Sequence, residues 1–349
     1  MHSNSMNEIK LNFDDFTPYK TIGRGGFGKV VLCQKKDNKK LYAIKILKKT
    51  DIMQKDHMDK IRNEKNIMLE NKHKFLLGLE FCFHDGRRIY FGMNYCAGGV
   101  LTNYILNYKR FDEGVARFYT AQIILALEYL HERNIVYRDL KPDNVCLDKT
   151  GYIKLIDYGI SKYLAGADSL TQSVVGTYEY FAPEILQQQG YNRMVDWWCL
   201  GILLFELVVG QPPWTDPNDN TLFTYILKYD FEIPKEVNMS PELMHLIRSL
   251  LIKAPSARLG FTNGAKDIIN HPWFTGFDFN ALNQMSMTPP LLPYVEKDSD
   301  VSNIDPFFTQ QNPHNTCDAT PSLNYTKEFE GFDYIKPTKV TAKIDIEKY

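Results

Sequence analysis

The sequence predicts an α+β protein of two lobes, a small antiparallel sheet followed by a mainly helical part, with a C-terminal tail. Short β-type runs occupy residues 16–93, whereas helical periodicity dominates residues 100–275. A Gly-Gly pair within residues 94–99 favours a hinge between these parts. Residues 1–15 form an N-terminal extension. After the helical part, prolines and polar stretches replace the periodicity, which indicates a tail over residues 276–349.

Each lobe has its own set of expected elements. In the first lobe, β-type composition predicts five strands, at 19–22, 29–34, 41–47, 79–84 and 89–93. Apolar spacing of three and four residues predicts a single helix there, at 59–69. In the second lobe the same spacing predicts helices at 113–133, 196–209, 222–227 and 241–251. Strands are expected in that lobe at 145–147 and 153–155.

The composition is that of an ordinary globular protein and excludes two classes of partner. The 349 residues are 44% hydrophobic and 24% charged, with a net charge of −1. This balance gives no overall basic field, so we expect no nucleic-acid partner. The apolar run 197–209 is short and contains Glu206, so we expect a buried helix and no membrane span. The six cysteines lie far apart, which favours reduced thiols in a cytoplasmic or nuclear compartment.

A glycine-rich segment opens the first lobe. Gly23, Gly25 and Gly28 form the pattern G-x-G-x-x-G, which alone fits a nucleotide phosphate loop, a dinucleotide site or a mere turn. A dinucleotide site requires a helix after the glycines, whereas a β-type run follows them here. Further along, Lys45 ends the sequence Tyr-Ala-Ile-Lys, which is typical of a lysine that pairs with ATP phosphates.

A buried lysine needs an anionic partner, and the helix predicted at 59–69 offers one. Glu64 lies on the same helix face as Ile61 and Met68, at spacings of three and four residues. An ion pair between Glu64 and Lys45 would hold the lysine against the α- and β-phosphates. A lone lysine or glutamate is usually a solvated surface charge, so this assignment depends on the surrounding motifs.

The strongest pattern lies in the second lobe. The sequence Tyr-Arg-Asp-Leu-Lys-Pro-Asp-Asn ends at Asn144, and an Asp-Tyr-Gly triplet begins at Asp157. Phosphoryl transfer asks a protein for positioning and charge neutralisation more than for covalent chemistry. Asp139 is suited to accept the proton of a substrate hydroxyl, and Lys141 to steady the transferred phosphate. Asn144 and Asp157 offer the oxygen ligands that Mg²⁺ prefers.

These motifs resemble those of the protein kinases and, over residues 16–334, those of the AGC group. The group markers are Tyr137, Gly176-Thr177, Ala182-Pro183-Glu184, Asp196-Trp197-Trp198 and Arg258-Leu259-Gly260. Three further stretches are most similar to the cyclic-nucleotide-dependent kinases, namely 263–268, 288–290 and 301–303. No cyclic-nucleotide-binding domain is visible, so the resemblance implies a free catalytic chain.

The resemblance implies a fold and an activity. The fold would be the bilobal protein kinase, with a five-stranded N-lobe and a helix C, a mainly helical C-lobe, and the AGC tail. The cofactors would be ATP and Mg²⁺, and the phosphate would be transferred to Ser or Thr of protein substrates. A pseudokinase scaffold is the alternative, but it requires a missing catalytic residue, and none is missing.

The resemblance also implies further site residues. Around ATP it places Ile22, Gly23, Arg24, Gly25, Gly26, Phe27, Gly28, Lys29, Val30, Ala43, Lys45, Met93 and Cys146. For the substrate it implies Asp143, Thr177 and Glu206. An ion pair between Glu184 and Arg258 would anchor the activation segment, and Asp196 would hold the catalytic loop. An apolar column in the active enzyme would consist of Met68, Leu79, Tyr137 and Tyr158.

Three positions depart from the family pattern. Tyr158 replaces the usual Phe of an Asp-Phe-Gly triplet, so its hydroxyl requires a hydrogen-bond partner. Tyr178 replaces the Pro of the loop that receives the residue after the phosphoacceptor. Val100 stands where the cyclic-AMP-dependent enzymes carry a Glu that contacts ribose and a substrate arginine. Because Asp143 and Glu206 keep the other acidic positions, we still expect basic residues upstream of the phosphoacceptor.

The same resemblance implies activation by phosphorylation. Ser173 lies four residues before Thr177, at the place of the activation-loop phosphate of AGC kinases. The matching basic positions are Lys60, Arg138 and Lys162. An upstream activating kinase is therefore an implied partner, whereas a regulatory subunit is left open.

The tail carries two regulatory motifs. Residues 329–334 match the AGC hydrophobic motif, with Asp333 at the position that is otherwise phosphorylated. Phe329 and Phe332 are expected to bury their rings in a pocket beside helix C. Thr320 matches the spacing of the turn-motif phosphosite.

Overall fold

The computed structural model describes residues 11–25, 28–54, 57–166, 169–314 and 327–337. Its strands are β1 Phe16–Gly25, β2 Gly28–Lys35, β3 Leu41–Lys48, β4 Leu79–His84, β5 Arg88–Asn94, β6 Gly99–Val100, β7 Ile135–Val136, β8 Val145–Leu147, β9 Ile153–Leu155, β10 Lys162–Tyr163 and β11 Tyr334–Ile335. Its helices are α1 Lys49–Gln54, α2 Met58–Glu70, α3 Leu101–Tyr108, α4 Glu113–His131, α5 Pro183–Leu186, α6 Met194–Val209, α7 Asp219–Lys228, α8 Pro241–Leu250, α9 Ala265–Ile269, α10 Phe279–Asn283 and α11 Pro306–Thr309. Gly26, Phe27 and Thr320 lie outside the described residues.

The chain forms two compact units. The first takes its described residues from Met1–Asp59, Gly78–Tyr95 and Glu296–Tyr349. The second takes them from Lys60–Leu77 and Cys96–Val295. The first unit is mostly antiparallel sheet and the second mainly helix, as the sequence predicted.

One antiparallel sheet forms the first unit, with its six strands in the order β1-β2-β3-β5-β4-β11. All five strands expected from the sequence are present, and the sixth comes from the tail. Tyr334 and Ile335 of β11 pair with Cys82 and Phe81 of β4. The edge of β4 is a ready template for a further strand. A strand of two residues has no periodicity of its own, so the sequence did not reveal it.

The glycine-rich segment is the hairpin of β1 and β2. In this hairpin Gly23 lies opposite Val30, and Gly25 lies opposite Gly28. A Cβ atom on Gly28 would lie 1.9 Å from the carbonyl oxygen of Ile46 on β3. Only glycine fits at position 28, because the backbones approach too closely for any side chain.

An aromatic-rich core lies within the first unit. Phe16 stacks on Phe81 and Phe83, with ring centroids 5.1 and 6.0 Å apart. Burial of each such side chain contributes about 1.5–3 kcal/mol. The buried members of this core are Leu11, Phe16, Val31, Cys33, Tyr42, Ile44, Ile46, Phe81, Phe83 and Tyr90.

Helix α6 is the central element of the second unit. All of its residues except Glu206 and Val209 are buried, which confirms the buried helix predicted from the apolar run. It packs against α4 and α8. A Cβ atom on Gly201 would lie 2.9 Å from Cβ of Leu250, so this glycine permits the close approach of α8. Among the described residues, no helix is both long and apolar enough to cross a bilayer.

The long predicted elements agree with the structure, as do the predicted three-residue strands β8 and β9, whereas several other short elements were not predicted. The four helices expected in the second lobe correspond to α4, α6, α7 and α8, with ends that agree within three residues. Helix α1 has only six residues, too few for a clear period. Helix α3 follows the Gly-Gly pair directly, and that turn signal obscured it. The two-residue strands β6, β7 and β10 were also not predicted.

Candidate active site

A hydrogen-bonded cluster surrounds Asp139 in the second unit. The side-chain amide nitrogen of Asn144 donates to the main-chain oxygen and to Oδ2 of Asp139, at 2.8 and 2.7 Å. Nζ of Lys141 lies 3.3 Å from Oδ1 of Asp139 and donates to Oγ1 of Thr177 at 2.7 Å. Four of the predicted residues therefore meet, and both carboxylate oxygens of Asp139 have a partner.

The loop between β7 and β8 creates this cluster. Pro142 begins a single 3-10 turn, Pro142–Asn144, which suits a residue whose φ is fixed and which lacks an N–H. The N–H of Asn144 donates to the carbonyl of Lys141 at 3.0 Å and closes the turn. The turn directs the Asn144 amide back onto Asp139.

The environment of Asp139 raises the pKa of its carboxyl group. Burial is the largest cause, and it exceeds the opposing effects of Lys141 and Asn144. The charge of Asp157 adds to the increase. A carboxylate with a raised pKa is a better proton acceptor, so this environment suits a general base.

Two residues of the site hold a left-handed backbone, Arg138 at φ 69° and Asp157 at φ 61°. Such conformations are uncommon for residues other than glycine and cost of order 1–3 kcal/mol. Asp196 supports the first of them, because it accepts the N–H groups of Tyr137 and Arg138 at 2.9 and 2.8 Å. Nε2 of His131 lies 2.7 Å from the same carboxylate. Asp196 thus holds the catalytic loop as expected.

The carboxylates of Asp157 and Glu64 both lie beside Gly159. Oδ1 of Asp157 accepts the N–H of Gly159 at 3.0 Å. A methyl group built on Gly159 would lie 3.8 Å from Oε2 of Glu64, so α2 places that carboxylate beside the turn. Asn144 uses its amide nitrogen on Asp139, which makes its side-chain oxygen the atom suited to a cation. Oxygen donors on Asn144 and Asp157 fit Mg²⁺, which uses few protein ligands and retains waters.

The hydroxyl of Tyr158, which a Phe would lack, has a hydrogen-bond partner within the second unit. The hydroxyl donates to the carbonyl of Leu155 at 3.1 Å, and the ring packs edge-on against Tyr137 at 5.9 Å. Burial raises the pKa of Tyr158, so it stays neutral. The replacement of Phe therefore leaves no unpaired polar group. Met68 is also buried in this unit, but Leu79 belongs to the first unit, and the column of four residues stays a prediction.

Glu206 lies in an acidic environment. The hydroxyl of Tyr180 donates to Oε2 of Glu206. Burial raises the pKa of Glu206 to about 7, although the Tyr180 hydrogen bond opposes this, and the charges of Asp143 and Glu179 contribute to the rise. A cation bound here would relieve the repulsion among the three carboxylates. The site is therefore suited to a basic side chain.

Ser173 lies beside basic residues of the second unit. Its Oγ accepts a hydrogen bond from a guanidinium nitrogen of Arg138 at 2.7 Å. Nζ of Lys162 donates at 2.9 Å to Oγ1 of Thr171, which lies 3.4 Å from Oγ of Ser173. Lys60 is an exposed residue of α2, and its role toward a phosphate stays a prediction.

The segment that follows Ser173 is anchored by a buried ion pair. Two guanidinium nitrogens of Arg258 donate to the two carboxylate oxygens of Glu184, at 2.7 and 2.9 Å. A bidentate geometry of this kind is both strong and directional. The expected pair is confirmed.

The remaining predicted ATP residues lie on separate elements. Ala43 of β3 lies opposite Met93 of β5, and both are buried. Lys45 of β3 lies opposite Val30. Its ion pair with Glu64, a residue of the second unit, stays a prediction. Cys146 belongs to β8 of the second unit. The hairpin carries Ile22, Gly23, Arg24, Gly25, Gly28, Lys29 and Val30.

The hydrophobic motif of the tail packs on the sheet of the first unit. Phe329 is fully buried and Phe332 is 4% exposed. The ring of Phe332 lies 5.8 Å from that of Phe91. Nζ of Lys49 lies 4.5 Å from the centre of the Phe329 ring, within the range of a cation–π contact. The thiol of Cys82 donates to the carbonyl of Phe332 at 3.0 Å.

Asp333 extends this motif with a charge. Its Oδ1 lies 3.9 Å from Nε2 of His84, and Nδ1 of His84 lies 3.1 Å from Nζ of Lys49. The carboxylate at the phosphorylatable position therefore faces a histidine and a lysine. The pocket beside helix C stays a prediction, because α2 belongs to the second unit from Lys60 onward.

The sequence did not single out several residues that support the site. His131 contacts Asp196, and Tyr191 donates to the carbonyl of Ser173 at 2.6 Å. The side chain of Asn63 on α2 donates to the carbonyl of Ser161 at 2.7 Å. Tyr180 contacts Glu206. None of the four stands in a motif, and a single sequence offers no signal for contacts this distant along the chain.

Comparisons with known proteins agree with this geometry. A family model described as the protein kinase domain matches residues 16–274. The serine/threonine-protein kinase Sgk1 of Danio rerio is 40% identical over 329 residues, which cover 92% of this chain and 76% of the relative. The cAMP-dependent protein kinase catalytic subunit PRKX of Homo sapiens is 39% identical over 311 residues, which cover 89% and 85%.

Some relatives are much longer than this chain. The protein kinase C-like 1B of Caenorhabditis elegans is 40% identical over 333 residues, which cover 94% of this chain but 47% of the relative. The serine/threonine-protein kinase gad8 of Schizosaccharomyces pombe is 37% identical, with 96% and 59% covered. The chain thus spans about half the length of these two proteins.

Proposed function

Because the chain belongs to the protein kinase family, in its AGC group of serine/threonine kinases, we propose that it phosphorylates Ser or Thr hydroxyls through the Asp139 cluster. Enzymes of this family use ATP with Mg²⁺. The observation that carries the proposal is the contact of Asp139 with Lys141 and Asn144, together with the Lys141–Thr177 hydrogen bond. We assign the kinase domain to 16–275 and the tail to 276–349.

Asp139 is the proposed proton acceptor. A substrate hydroxyl that donates to its carboxylate is fixed in orientation, so that the oxygen faces the γ-phosphate in line with the bond to be broken. As the hydroxyl oxygen bonds to the γ-phosphorus, the bond from that phosphorus to the β,γ-bridging oxygen breaks and ADP leaves, while the hydroxyl proton passes to the Asp139 carboxylate. The hydrogen bonds from Asn144 hold the carboxylate in place for this step.

Lys141 supplies a positive charge between the substrate and the activation segment. Its Nζ contacts both Asp139 and Thr177, so the ammonium lies next to the position of the transferred phosphate. Asn144 and Asp157 are the proposed magnesium ligands. When bound there, Mg²⁺ neutralises phosphate charge.

Basic residues upstream of the phosphoacceptor define the proposed substrate class. Glu206 and Asp143 make the electrostatic potential around them, in the second unit, more negative. An arginine or lysine that reaches this region gains an ion pair and removes the repulsion between the carboxylates. Val100 carries no charge, so we expect a weaker preference for a second basic residue in the substrate.

Phosphorylation of Ser173 by an upstream kinase is the proposed activating event. Arg138 already contacts the Ser173 hydroxyl and also belongs to the catalytic loop. A phosphate adds close to two negative charges and three acceptor oxygens at this point. It would strengthen the link between the activation segment and the loop that carries Asp139. Localisation in the cytoplasm or nucleus is part of the same proposal.

The test compares phosphate transfer from γ-labelled ATP to a serine peptide with upstream arginines. We expect Asp139→Asn to lower kcat by about 10²–10⁴-fold with an unchanged melting temperature. Asp37→Asn is the matched control, because Asp37 is exposed and its contact with Lys35 lies on the surface of the first unit. Full activity of Asp139→Asn would contradict the assignment. Nucleotide binding without any transfer by the wild type would favour the pseudokinase scaffold.

A further inference from the structure

Lys29 lies on β2 of the glycine-rich hairpin, and its ammonium group donates hydrogen bonds to the tail. Nζ donates to the main-chain oxygens of Asn312, Pro313 and His314, at 3.2, 3.1 and 2.6 Å. An ammonium group has three protons, so three successive carbonyls match its donor capacity. The side chain of Lys29 is therefore directed to the tail, and any effect on ATP would be indirect.

The same tail segment also contacts the other strand of the hairpin. Oγ1 of Thr21 on β1, a fully buried residue, donates to the main-chain oxygen of Asn312 at 3.3 Å. Just upstream in the tail, α11 packs against β1. Both strands of the hairpin are thus attached to the tail, each within a few residues of Gly23 or Gly28.

The chemistry of the contact makes it specific. Hydrogen bonds from a charged donor are stronger than neutral ones. Burial lowers the pKa of Lys29, and the charges of Arg88 and Arg24 contribute, so the carbonyls offset an otherwise unfavourable position for a cation. Pro313 fixes its own φ and favours an extended backbone at Asn312. This restriction helps to present successive carbonyls to one ammonium group.

We propose that Lys29 is a positioning residue, which ties the glycine-rich hairpin to tail residues 312–314 and so holds the hairpin ready for the phosphates of ATP. The hairpin needs such support, because glycines give its backbone more freedom than other residues would. The role of the hairpin in ATP binding rests on the proposed function, whereas the contact between Lys29 and residues 312–314 does not.

Three variants test the tie. Lys29→Met removes the charge and all three donors, while Lys29→Arg retains a charged donor group. Lys35→Met is the matched control, because Lys35 lies on the same strand and its ammonium group contacts the exposed Asp37. Thr21→Val removes the second contact and preserves the branched shape of the side chain.

The first measurement is hydrogen exchange of the full chain without nucleotide. We expect the amides of β1 and β2 to exchange about tenfold faster in Lys29→Met, which corresponds to the net loss of about one hydrogen bond to a charged group. Thr21→Val should shift exchange less, and the double variant should show less than the sum, because both side chains use the Asn312 carbonyl. Lys35→Met should match the wild type.

The second measurement is the affinity for a fluorescent ATP analogue, followed by steady-state kinetics. In Lys29→Met we expect the Kd for the analogue and the KM for ATP to rise about tenfold, with kcat and the KM for peptide within about twofold. Lys29→Arg should recover part of the affinity. A merely structural role would lower the melting temperature without this separation of KM from kcat.

The outcomes separate the inference from the function on which it rests. Unchanged hairpin exchange in Lys29→Met would overturn the tie, and unchanged ATP affinity would overturn its role in positioning. If the wild type bound no ATP, the proposed function would fail together with the ATP part of the inference. The exchange experiment would still decide whether Lys29 holds the hairpin, since it uses no nucleotide.

Discussion

Burial gives two carboxyl groups of the second unit, those of Asp139 and Glu206, a higher pKa than usual. The two have different surroundings. Asp139 has a cation within 3.3 Å, whereas the neighbours of Glu206 are the carboxylates of Asp143 and Glu179 and the hydroxyl of Tyr180. The first arrangement favours proton transfer at a positioned base, and the second favours capture of a cation.

The pKa of Glu206 predicts that recognition of basic peptides depends on pH. Below about 7 the group is increasingly protonated and neutral, so its attraction for an upstream arginine is lost as the pH falls. We expect the affinity for a peptide with alanine at the acceptor position to decrease by up to about tenfold per pH unit below 7. Titration between pH 6 and 8 measures this directly.

Glu206→Gln is the control for that titration. Its affinity for the basic peptide should be low and flat across the same pH range, because glutamine does not ionise. The affinity for ATP should change little in either protein. A wild-type profile as flat as that of the variant would show that Glu206 does not read the basic residue.

Asp157 provides a second prediction at the scale of one residue. Asp157→Asn keeps the size of the side chain and an oxygen that can accept from Gly159, but it removes the negative charge. We expect phosphotransfer to fall by at least about 10³-fold, a loss comparable to removal of a major electrostatic contribution to the transition state, while the melting temperature stays unchanged. Near-normal turnover would refute the proposed metal site.

At the scale of elements, the activation segment is linked to the catalytic loop through one residue. The backbone N–H of Arg138 donates to the Asp196 carboxylate, and its guanidinium donates to Oγ of Ser173. We predict that treatment with an upstream kinase raises the activity of the wild type but not of Ser173→Ala, with a difference of at least about tenfold in kcat.

Ser169→Ala is the matched control for the activation segment. Ser169 lies in the same segment, and its backbone N–H donates to the carbonyl of Gly166, a hydrogen bond that the substitution preserves. Activation of this variant should equal that of the wild type. Equal activation of Ser173→Ala would place the switch at another residue.

The tail strand β11 and the rings before it form the second element with a testable role. Burial of Phe329 and Phe332 contributes about 1.5–3 kcal/mol each, opposed by the entropy lost when a tail segment is ordered. With a net contribution of about 2 kcal/mol, the double variant Phe329→Ala/Phe332→Ala should melt roughly 3 °C lower, because the unfolding entropy grows with chain length. Its activity should also fall, because Phe332 packs on Phe91, two residues from Met93 in β5.

Exposed apolar residues of the tail supply the control. Leu292 and Phe307 are 75% and 67% exposed, so Leu292→Ala/Phe307→Ala removes similar side chains without opening a cavity. This control should keep the melting temperature and activity of the wild type. If Phe329→Ala/Phe332→Ala also kept the melting temperature and activity of the wild type, the two rings would not be docked in solution.

At the scale of the whole molecule, the sequence predicted the parts that rest on local patterns. The long helices α4 and α6 have strong apolar periods, and the Asp139 motif is contiguous, so both could be recognised from the sequence alone. The contact between Lys29 and 312–314 joins residues almost three hundred positions apart through backbone carbonyls. No side chain of the tail encodes it, and only the folded chain reveals it.

The departures from the family pattern show the same limit. The Tyr158 hydroxyl needed a partner, and the sequence could state the need but not name the carbonyl of Leu155 that meets it. Likewise, the sequence supplied the acidic residues Glu206 and Asp143, but the raised pKa follows from burial and from Glu179. Such effects depend on the environment that distant segments create.

A peptide array with γ-labelled ATP and Mg²⁺ tests the central claim most directly. The array presents Ser, Thr or Tyr as acceptor, with basic, neutral or acidic residues at each upstream position, to the full chain phosphorylated on Ser173. We predict incorporation into Ser and Thr peptides with upstream Arg or Lys, and none into Tyr peptides. Absence of any transfer, or a preference for upstream acidic residues, would contradict the account.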